Sequence, residues 1–437
     1  MQLRILLSCL LWFAVGQTVV AQTLHTSSDI FQNADLLSCE NDKLTFRVAT
    51  REPAAEQGSK EVTCDLRDLA AWGAIPIRKP GPYLWLRDGS WLAGQPNLFE
   101  RKWGLFGETK WETALQPSAV AGCLLTPPAN PYAFRRLISQ MQAASGEQDW
   151  IWLDNGTTLA GLLKVSSGPD ANLQFELTSG QSTQQIPVAR VRAFVFSPAL
   201  SGAKELKRLR NAIGFSDGSV VAVGSVRKAL QLDSETRNSE ISTRQSSALL
   251  NTQGGSQLQF AVEASKSPAE SLVDQVVFLH QSSERWVWLN TASPVAYRHS
   301  GLGAINWTPG LSPTTIGKLL PGRLGICCNL LTMRASSQIT FRIPSTASHL
   351  LTEVSLEQSP QTQGDAATFE VLGVIDGQLV NLATHRIAIG ESKPIRVDVQ
   401  GSPLVILICR RDQTYAAELI CSYPRVVNVA SRQDKQE

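Results

Sequence analysis

Gly364-Asp365-Ala366-Ala367-Thr368-Phe369-Glu370-Val371 is followed by Val374-Ile375-Asp376-Gly377-Gln378-Leu379, by Pro394-Ile395-Arg396-Val397-Asp398-Val399 and by Pro403-Leu404-Val405-Ile406-Leu407-Ile408-Cys409. Each run is short, apolar and β-branched, and each is bounded by Gly, Pro, Asp or Asn, the pattern of successive strands in an antiparallel sandwich. Asp376-Gly377 between two such runs predicts a tight hairpin, because Gly accepts the positive φ of the turn.

Leu324-Gly325-Ile326 leads into a further strand pattern, Ser337-Gln338-Ile339-Thr340-Phe341-Arg342-Ile343, and Pro394 to Gly401, Leu404 to Ile408 and Pro424-Arg425-Val426 complete the series. In this order of pieces, residues 312 to 427 resemble the NPCBM family of carbohydrate-binding modules, first described beside glycoside hydrolases. The resemblance implies a jelly-roll, galactose-binding-like β-sandwich and a glycan as partner. Two departures stand out: Ile326-Cys327-Cys328-Asn329 replaces the family's Gly-Val-His-Ser-like turn, and Cys421 stands where Trp is common. The fold therefore transfers more directly than the ligand.

Ahead of this module the chain repeats itself. Trp85-Leu86-Arg87-Asp88-Gly89-Ser90-Trp91-Leu92-Ala93-Gly94 recurs as Trp152-Leu153-Asp154-Asn155-Gly156-Thr157-Thr158-Leu159-Ala160-Gly161 and, more weakly, as Ile213-Gly214-Phe215-Ser216-Asp217-Gly218-Ser219-Val220-Val221. Each Asp/Asn-Gly joins two apolar strands, which predicts a hairpin with a primed turn. An amphipathic strand and a stop follow, Leu115 to Pro127 in one copy and Ile186 to Pro198 in the next. Glu61 to Gly73 is a partial copy of that ending, ahead of the first complete repeat. A unit of roughly sixty residues thus occurs three times, plus a fragment. Tyr132 to Met141 and Ala203 to Leu209 have helical spacing and predict short connecting helices. This front portion also resembles, more loosely, strand-rich regions preceding such a module in exported proteins of planctomycete-type bacteria.

The expected class is all-β: repeated small antiparallel units with short linking helices, then the sandwich. The expected divisions are an export signal at 1–21, an N-terminal strand region at 22–82, and repeats at 83–147, 148–210 and 211–291. The last repeat carries a polar insertion at 231–270, and a linker at 292–311, the sandwich at 312–429 and a polar tail at 430–437 follow. The signal rests on basic Arg4, the apolar run Ile5 to Val15 and the small residues before Gln22. No later run approaches the ~20 apolar residues of a membrane helix. The expected location is outside the cytoplasm: periplasmic, cell-surface or extracellular.

Forty basic against 38 acidic side chains leave no strong field to draw nucleic acid or an anionic membrane. Removing the signal leaves Cys39, Cys64, Cys123, Cys327, Cys328, Cys409 and Cys421, an odd number. Cys409 with Cys421, and Cys39 with Cys64, are spaced for cross-strand disulfides; buried free thiols are the alternative. The cysteines and histidines show no zinc spacing, and no motif calls for a cofactor; the sequence contains nothing that assigns a structural calcium ion.

No nucleophile elbow, zinc-protease helix, phosphate-binding loop or dinucleotide fingerprint is present, and acids such as Asp88, Asp217 and Asp376 are explained by turns. The sequence therefore reads as a non-catalytic protein. Sugar binding asks for flat aromatic faces beside hydrogen-bonding side chains. Trp85 and Trp152 hold equivalent strand positions and read as core, whereas Trp91, Trp103 and Trp111 are the candidate exposed platforms. In the module, Arg410, Arg411, Gln413 and Tyr415 form a polar loop fit to grip a glycan; an ordinary solvated hairpin loop has the same composition. The competing reading is a structural or interaction protein of the cell envelope, with other envelope proteins as partners.

Overall fold

A computed structural model describes residues 22–428 with breaks, the longer ones being 50–57, 75–80, 107–114, 168–172, 200–210, 231–246, 262–272, 300–329, 357–365 and 412–417. The expected export signal, Trp111, the helical pattern at 203–209, Cys327 and Cys328 lie outside the described residues. The molecule is nearly all β, as expected. Among the described residues no helix is long and apolar enough to cross a membrane.

The front half is one fourteen-stranded antiparallel sheet assembled from four copies of a three-stranded unit, with two further strands at one edge. Each unit has a first strand, a second strand and a closing strand. The first unit contributes Leu24–Thr26, Ile30–Phe31 and Leu69–Gly73, and the second Tyr83–Leu86, Trp91–Ala93 and Val120–Leu124. The third contributes Asp149–Leu153, Thr158–Ser167 and Val191–Val195, and the fourth Asn211–Phe215, Val220–Val223 and Val276–His280. Across the sheet they run third, second, fourth, first.

The units share register as well as strand order. In all four, first and closing strands pair with the same one-residue irregularity, next to Thr26, Val120, Leu153 and Phe215. Such a bulge bends the closing strand and adds local twist. The same backbone bond sits beside it each time: Ser27 N to Asp68 O (2.7 Å), Arg87 N to Ala119 O (2.9 Å), Asp154 N to Arg190 O (2.8 Å) and Ser216 N to Gln275 O (2.9 Å). The fragment ending in Leu69–Gly73 is therefore a complete fourth copy. Its turn hides the repeat, because Thr26 Oγ1 accepts from the backbone N–H of Asp29 (2.9 Å) where the other units use Asp/Asn-Gly.

Those Asp/Asn-Gly turns differ from the primed form. Only Gly89, Gly156 and Gly218 have positive φ, not the preceding Asp88, Asn155 or Asp217, whereas a type I′ turn needs both. Each glycine N–H donates three residues back, to Leu86, Leu153 and Phe215 O. The turns are type I followed by a left-handed Gly, the three-residue loop with a bulge. Asp376-Gly377 has φ of 51° and 77° and is the primed hairpin expected.

Neighbouring units meet head to head. Equivalent residues Cys123 and Phe194 face each other where closing strands of the second and third units pair, and Trp72 faces Leu279 where those of the first and fourth pair. At the central junction, second strands meet at Trp91 and Val220. There Ser219 Oγ accepts from Ala93 N–H and Ser90 Oγ accepts from Ala222 N–H, both at 2.9 Å. The swap is reciprocal, a local two-fold.

One face of the sheet packs against hairpin excursions between second and closing strands, around Leu84, Phe194, Ile213 and Phe175. One excursion, Ser247–Asn251 with Gln257–Ala261, lies within 231–270, where polarity predicted an unstructured insertion. Leu250 and Leu258 pair there, both fully buried, and anchor it. The other face is covered in two places. Helix Pro131–Ala143, started by Asn130 Oδ1 accepting from Ala133 N–H (3.1 Å), lays Phe134, Leu137, Ile138 and Met141 over Tyr83, Trp85 and Trp91. The C-terminal sandwich covers the small Ala70, Ala71 and Ala212 of the first and fourth units with Trp286, Trp288 and Tyr423.

The sandwich stacks two five-stranded sheets. One contains Trp286–Trp288, Leu330–Arg334, Ala347–Leu356, Ser392–Asp398 and Glu418–Asn428; the other runs Ala296–His299, Ser337–Arg342, Leu404–Arg411, Ala366–Ile375, Gln378–Ala388. Trp286–Trp288 and Ala296–His299 precede residue 312 yet pair into these sheets. Long-range pairing recruits them: Ala296–His299 falls in the expected linker 292–311, and Trp286–Trp288 at the end of the expected third repeat 211–291.

The proposed disulfides are not formed: Cys39, Cys64, Cys409 and Cys421 are free thiols. Cys39 and Cys64 flank Leu44 on the strand between them, two strand spacings or about 9.5 Å apart, beyond disulfide reach. Cys409 and Cys421 lie on successive strands that enter opposite sheets, and both thiols are buried in the core between those sheets. Burial raises the thiols, Cys39 to about 11, Cys64 and Cys421 to about 12.

Between sheet and sandwich sits a buried polar cluster. His25 packs its ring on Tyr423 at 4.7 Å and brings Nε2 to 3.5 Å from Glu353 Oε2. Fully buried Arg425 donates across the boundary to the carbonyl of Thr26 and within the sandwich to that of Tyr423.

Candidate functional site

Alternation along the strands decides which side chains leave the sandwich core. Val405, Leu407 and Cys409 point inward with Ile339, Phe341, Phe369 and Val371, so Arg410, Gln338 and Glu370 project outward. Register places Arg298 opposite Gln338, Gln338 opposite Ile408, and Ile408 opposite Glu370. Three strands therefore put Arg298, Gln338 and Glu370 in one row on the outer face, and the fourth adds Arg410 two residues beyond Ile408. At its end lies a cleft of about 430 Å³ lined by Arg298, Ser336, Ser337, Gln338, Ile408, Cys409 and Arg410.

Arg410 Nε donates to Glu370 Oε1 at 2.8 Å. This bond and the carboxylate charge raise the Arg410 guanidinium above its ordinary value and fix its direction, leaving its other N–H groups on an exposed side chain. Ser336 has φ of 67° and donates its N–H to Cys409 O (2.7 Å), which shapes the cleft wall. Ser337 Oγ is buried without a hydrogen-bond partner among the described residues. Two forked guanidinium donors, an amide and hydroxyls can hold neighbouring oxygens of one ligand. The second cation, Arg298, gives the site a positive balance.

Of the sequence candidates, Arg410 lines this cleft. Arg411 closes the strand Leu404–Arg411, but its side chain lies outside the described residues, as do Gln413 and Tyr415. Trp91 and Trp103 are not exposed platforms: Trp91 stacks on Trp85 (5.4 Å, 14°) and Trp103 tilts against Phe194 (5.9 Å), both buried. Trp91 lies under the helix Pro131–Ala143, and Trp103 lies on a hairpin excursion packed against the sheet. Arg298, Gln338 and Glu370 escaped sequence reasoning because cross-strand register, which sequence spacing does not show, unites them. Among the described residues no group of three or more His, Cys, Asp or Glu could hold a metal ion. The buried carboxylate of Asp149 is occupied structurally, accepting from Leu163 N–H (2.8 Å) and Ser197 N–H (2.7 Å).

No protein-family model matches the chain, and no curated protein matches it. Among solved structures it is similar to the CBM51 module of Clostridium perfringens GH95, determined with methyl-galactose, at 12% identity and a TM-score of 0.23, over 32% of this chain and 99% of that one. It is similar to the CBM51-2 and INT domains of Clostridium perfringens ZmpB, determined with GlcNAc, at 11% identity and a TM-score of 0.25, over 44% of this chain and 39% of that one. SGBP-B from a Bacteroides uniformis xyloglucan utilization locus is similar at 8% identity and a TM-score of 0.21, over 65% of this chain and 92% of that one. The chain thus spans less than half of the ZmpB chain. At such scores the likeness carries no argument, and the fold rests on the pairings given above.

Proposed function

We propose that this is an exported, non-catalytic glycan-binding protein whose C-terminal sandwich holds a sugar in the cleft at Arg298, Gln338 and Arg410. The carrying observation is the set of outward polar side chains from four strands, with Arg410 pre-oriented by Glu370. The strand order that resembles the NPCBM family supports the same reading. The positive balance favours glycans bearing a carboxylate or sulfate, which a guanidinium fork engages through two oxygens.

A glycan array on the full chain, followed by calorimetry on the sugars retained, tests it. Arg410→Ala and Arg298→Ala should each weaken binding about 10- to 100-fold, the loss of a charged hydrogen bond. A chain that retains no sugar, or variants that bind as tightly as the parent, would sink the proposal; release of shortened sugar from a retained glycan would sink its non-catalytic part.

A second reading, an envelope interaction protein, draws on one observation: Leu379 and Val380 are exposed on the edge strand Gln378–Ala388. An open strand edge with apolar side chains is suited to pairing with another chain. Capture of an envelope protein by the parent but not by Leu379→Lys would favour it.

A further inference from the structure

We propose that the third unit carries a second ligand site, an aromatic groove that takes a neutral pyranose ring by its C–H face. The four units are equivalent, so their outward positions on the first strand compare directly. They hold Thr23 and His25 in the first unit, Tyr83 and Trp85 in the second, Trp150 and Trp152 in the third, and Ala212 and Gly214 in the fourth. The sandwich buries His25 and Ala212, and the helix Pro131–Ala143 buries Tyr83 and Trp85. Of the aromatic rings among these, Trp150 alone is only partly buried, at the end of the helix.

The helix stops short there with small side chains. Gln140, Ala143 and Ala144 form one wall of a groove of about 410 Å³, and Trp150, Trp152 and Thr158 form the other. That size falls within the range of small-molecule sites. The two indoles stand 6.5 Å apart at 27°, because residues two apart on a strand share a face. Trp152 is directly opposite Thr158 on the paired strand. Trp150 Nε1 is shielded from solvent and has no acceptor among the described residues.

These features select the occupant. None of the described side chains that line the groove is charged, so they complement a neutral ligand and give an ion nothing to pair with. Indole faces match the axial C–H bonds of a pyranose whose hydroxyls are all equatorial. Gln140 and Thr158 stand at the rim where those hydroxyls emerge. An alkyl chain would use the indoles but none of these polar groups.

The site is independent of the cleft at Arg410, and one set of variants separates them. Cellotetraose, a neutral all-equatorial β-glucoside, is titrated calorimetrically into the full chain, into Trp150→Ala, into Trp150→Phe and into Arg410→Ala. A β-1,4-galactotetraose arm places an axial hydroxyl on the ring, and an n-octanol arm supplies a purely apolar ligand. Expected are binding of cellotetraose, a loss of about tenfold in Trp150→Ala, retention within about threefold in Trp150→Phe, and no change in Arg410→Ala. Galactotetraose should bind more weakly. The proposal is overturned by absence of cellotetraose binding, by equal binding in Trp150→Ala, by loss confined to Arg410→Ala, or by n-octanol binding where the sugar does not.

Discussion

Ser90 and Ser219 each stand two residues beyond a turn aspartate and donate their N–H to it, at 2.9 and 2.8 Å. Their hydroxyls then cross the junction to backbone amides of the opposite unit. Removing one hydroxyl leaves a buried N–H unpaired, which costs about 1–3 kcal/mol. Ser90→Ala and Ser219→Ala should each lower the urea midpoint accordingly, and in the double variant the effects should depart from additivity because both lie in one junction; midpoints within error of the parent would contradict this role. The turn aspartates were legible in the sequence, since Asp-Gly marks a hairpin. The serine swap was not, because it depends on which hairpin lies alongside. Trp150-x-Trp152 did carry a readable sign, two rings on one strand face, but only the length of a neighbouring helix leaves one of them open.

Among the elements, the short first strand Leu24–Thr26 has the most exposed dependence on pH. Burial lowers His25 below its ordinary value, partly countered by Glu353 and reinforced by Arg425. Burial alone would raise Glu353, but contacts from His25, Ser392 and Gln32 outweigh it and hold the carboxyl below its ordinary range. A histidine lowered in the folded state binds its proton more readily when unfolded. Its contribution is therefore complete above about pH 6.5 and is lost as pH falls below that value. The lowered carboxyl adds loss of the same sign at still lower pH. Tm should fall between pH 7.5 and 5.5, and His25→Asn should flatten that slope; a slope unchanged in the variant would remove His25 as its source. Nothing in the sequence around His25 marked it, because Glu353 and Arg425 are more than three hundred residues away in the chain.

At the scale of the whole molecule, the sandwich depends on Trp286–Trp288 and Ala296–His299 for one strand in each sheet. A segment starting at Ser282 should unfold in one cooperative step, whereas one starting at Ser312 lacks both strands and leaves one backbone edge unpaired at residues 425–427 and at residues 337–340. The shorter segment should show a lower urea midpoint or self-association; equal midpoints would make those strands dispensable. The front sheet follows a different logic. A unit of three strands cannot cover both its faces, so closing strand joins closing strand and second strand joins second strand until the row is complete.

The sequence by itself determined the all-β class, the hairpins at Asp88-Gly89, Asn155-Gly156 and Asp217-Gly218, the helix over residues 132–141 and the strands of the C-terminal sandwich. Those follow from periodicity and turn chemistry, which act between near neighbours. Only the tertiary structure decided that four units form one sheet, that Trp91 and Trp103 are core, that Cys409 and Cys421 enter opposite sheets, and that Arg298 and Glu370 meet Arg410. Register and layer order bring together residues far apart in the chain, and the local pattern of either partner does not encode the other.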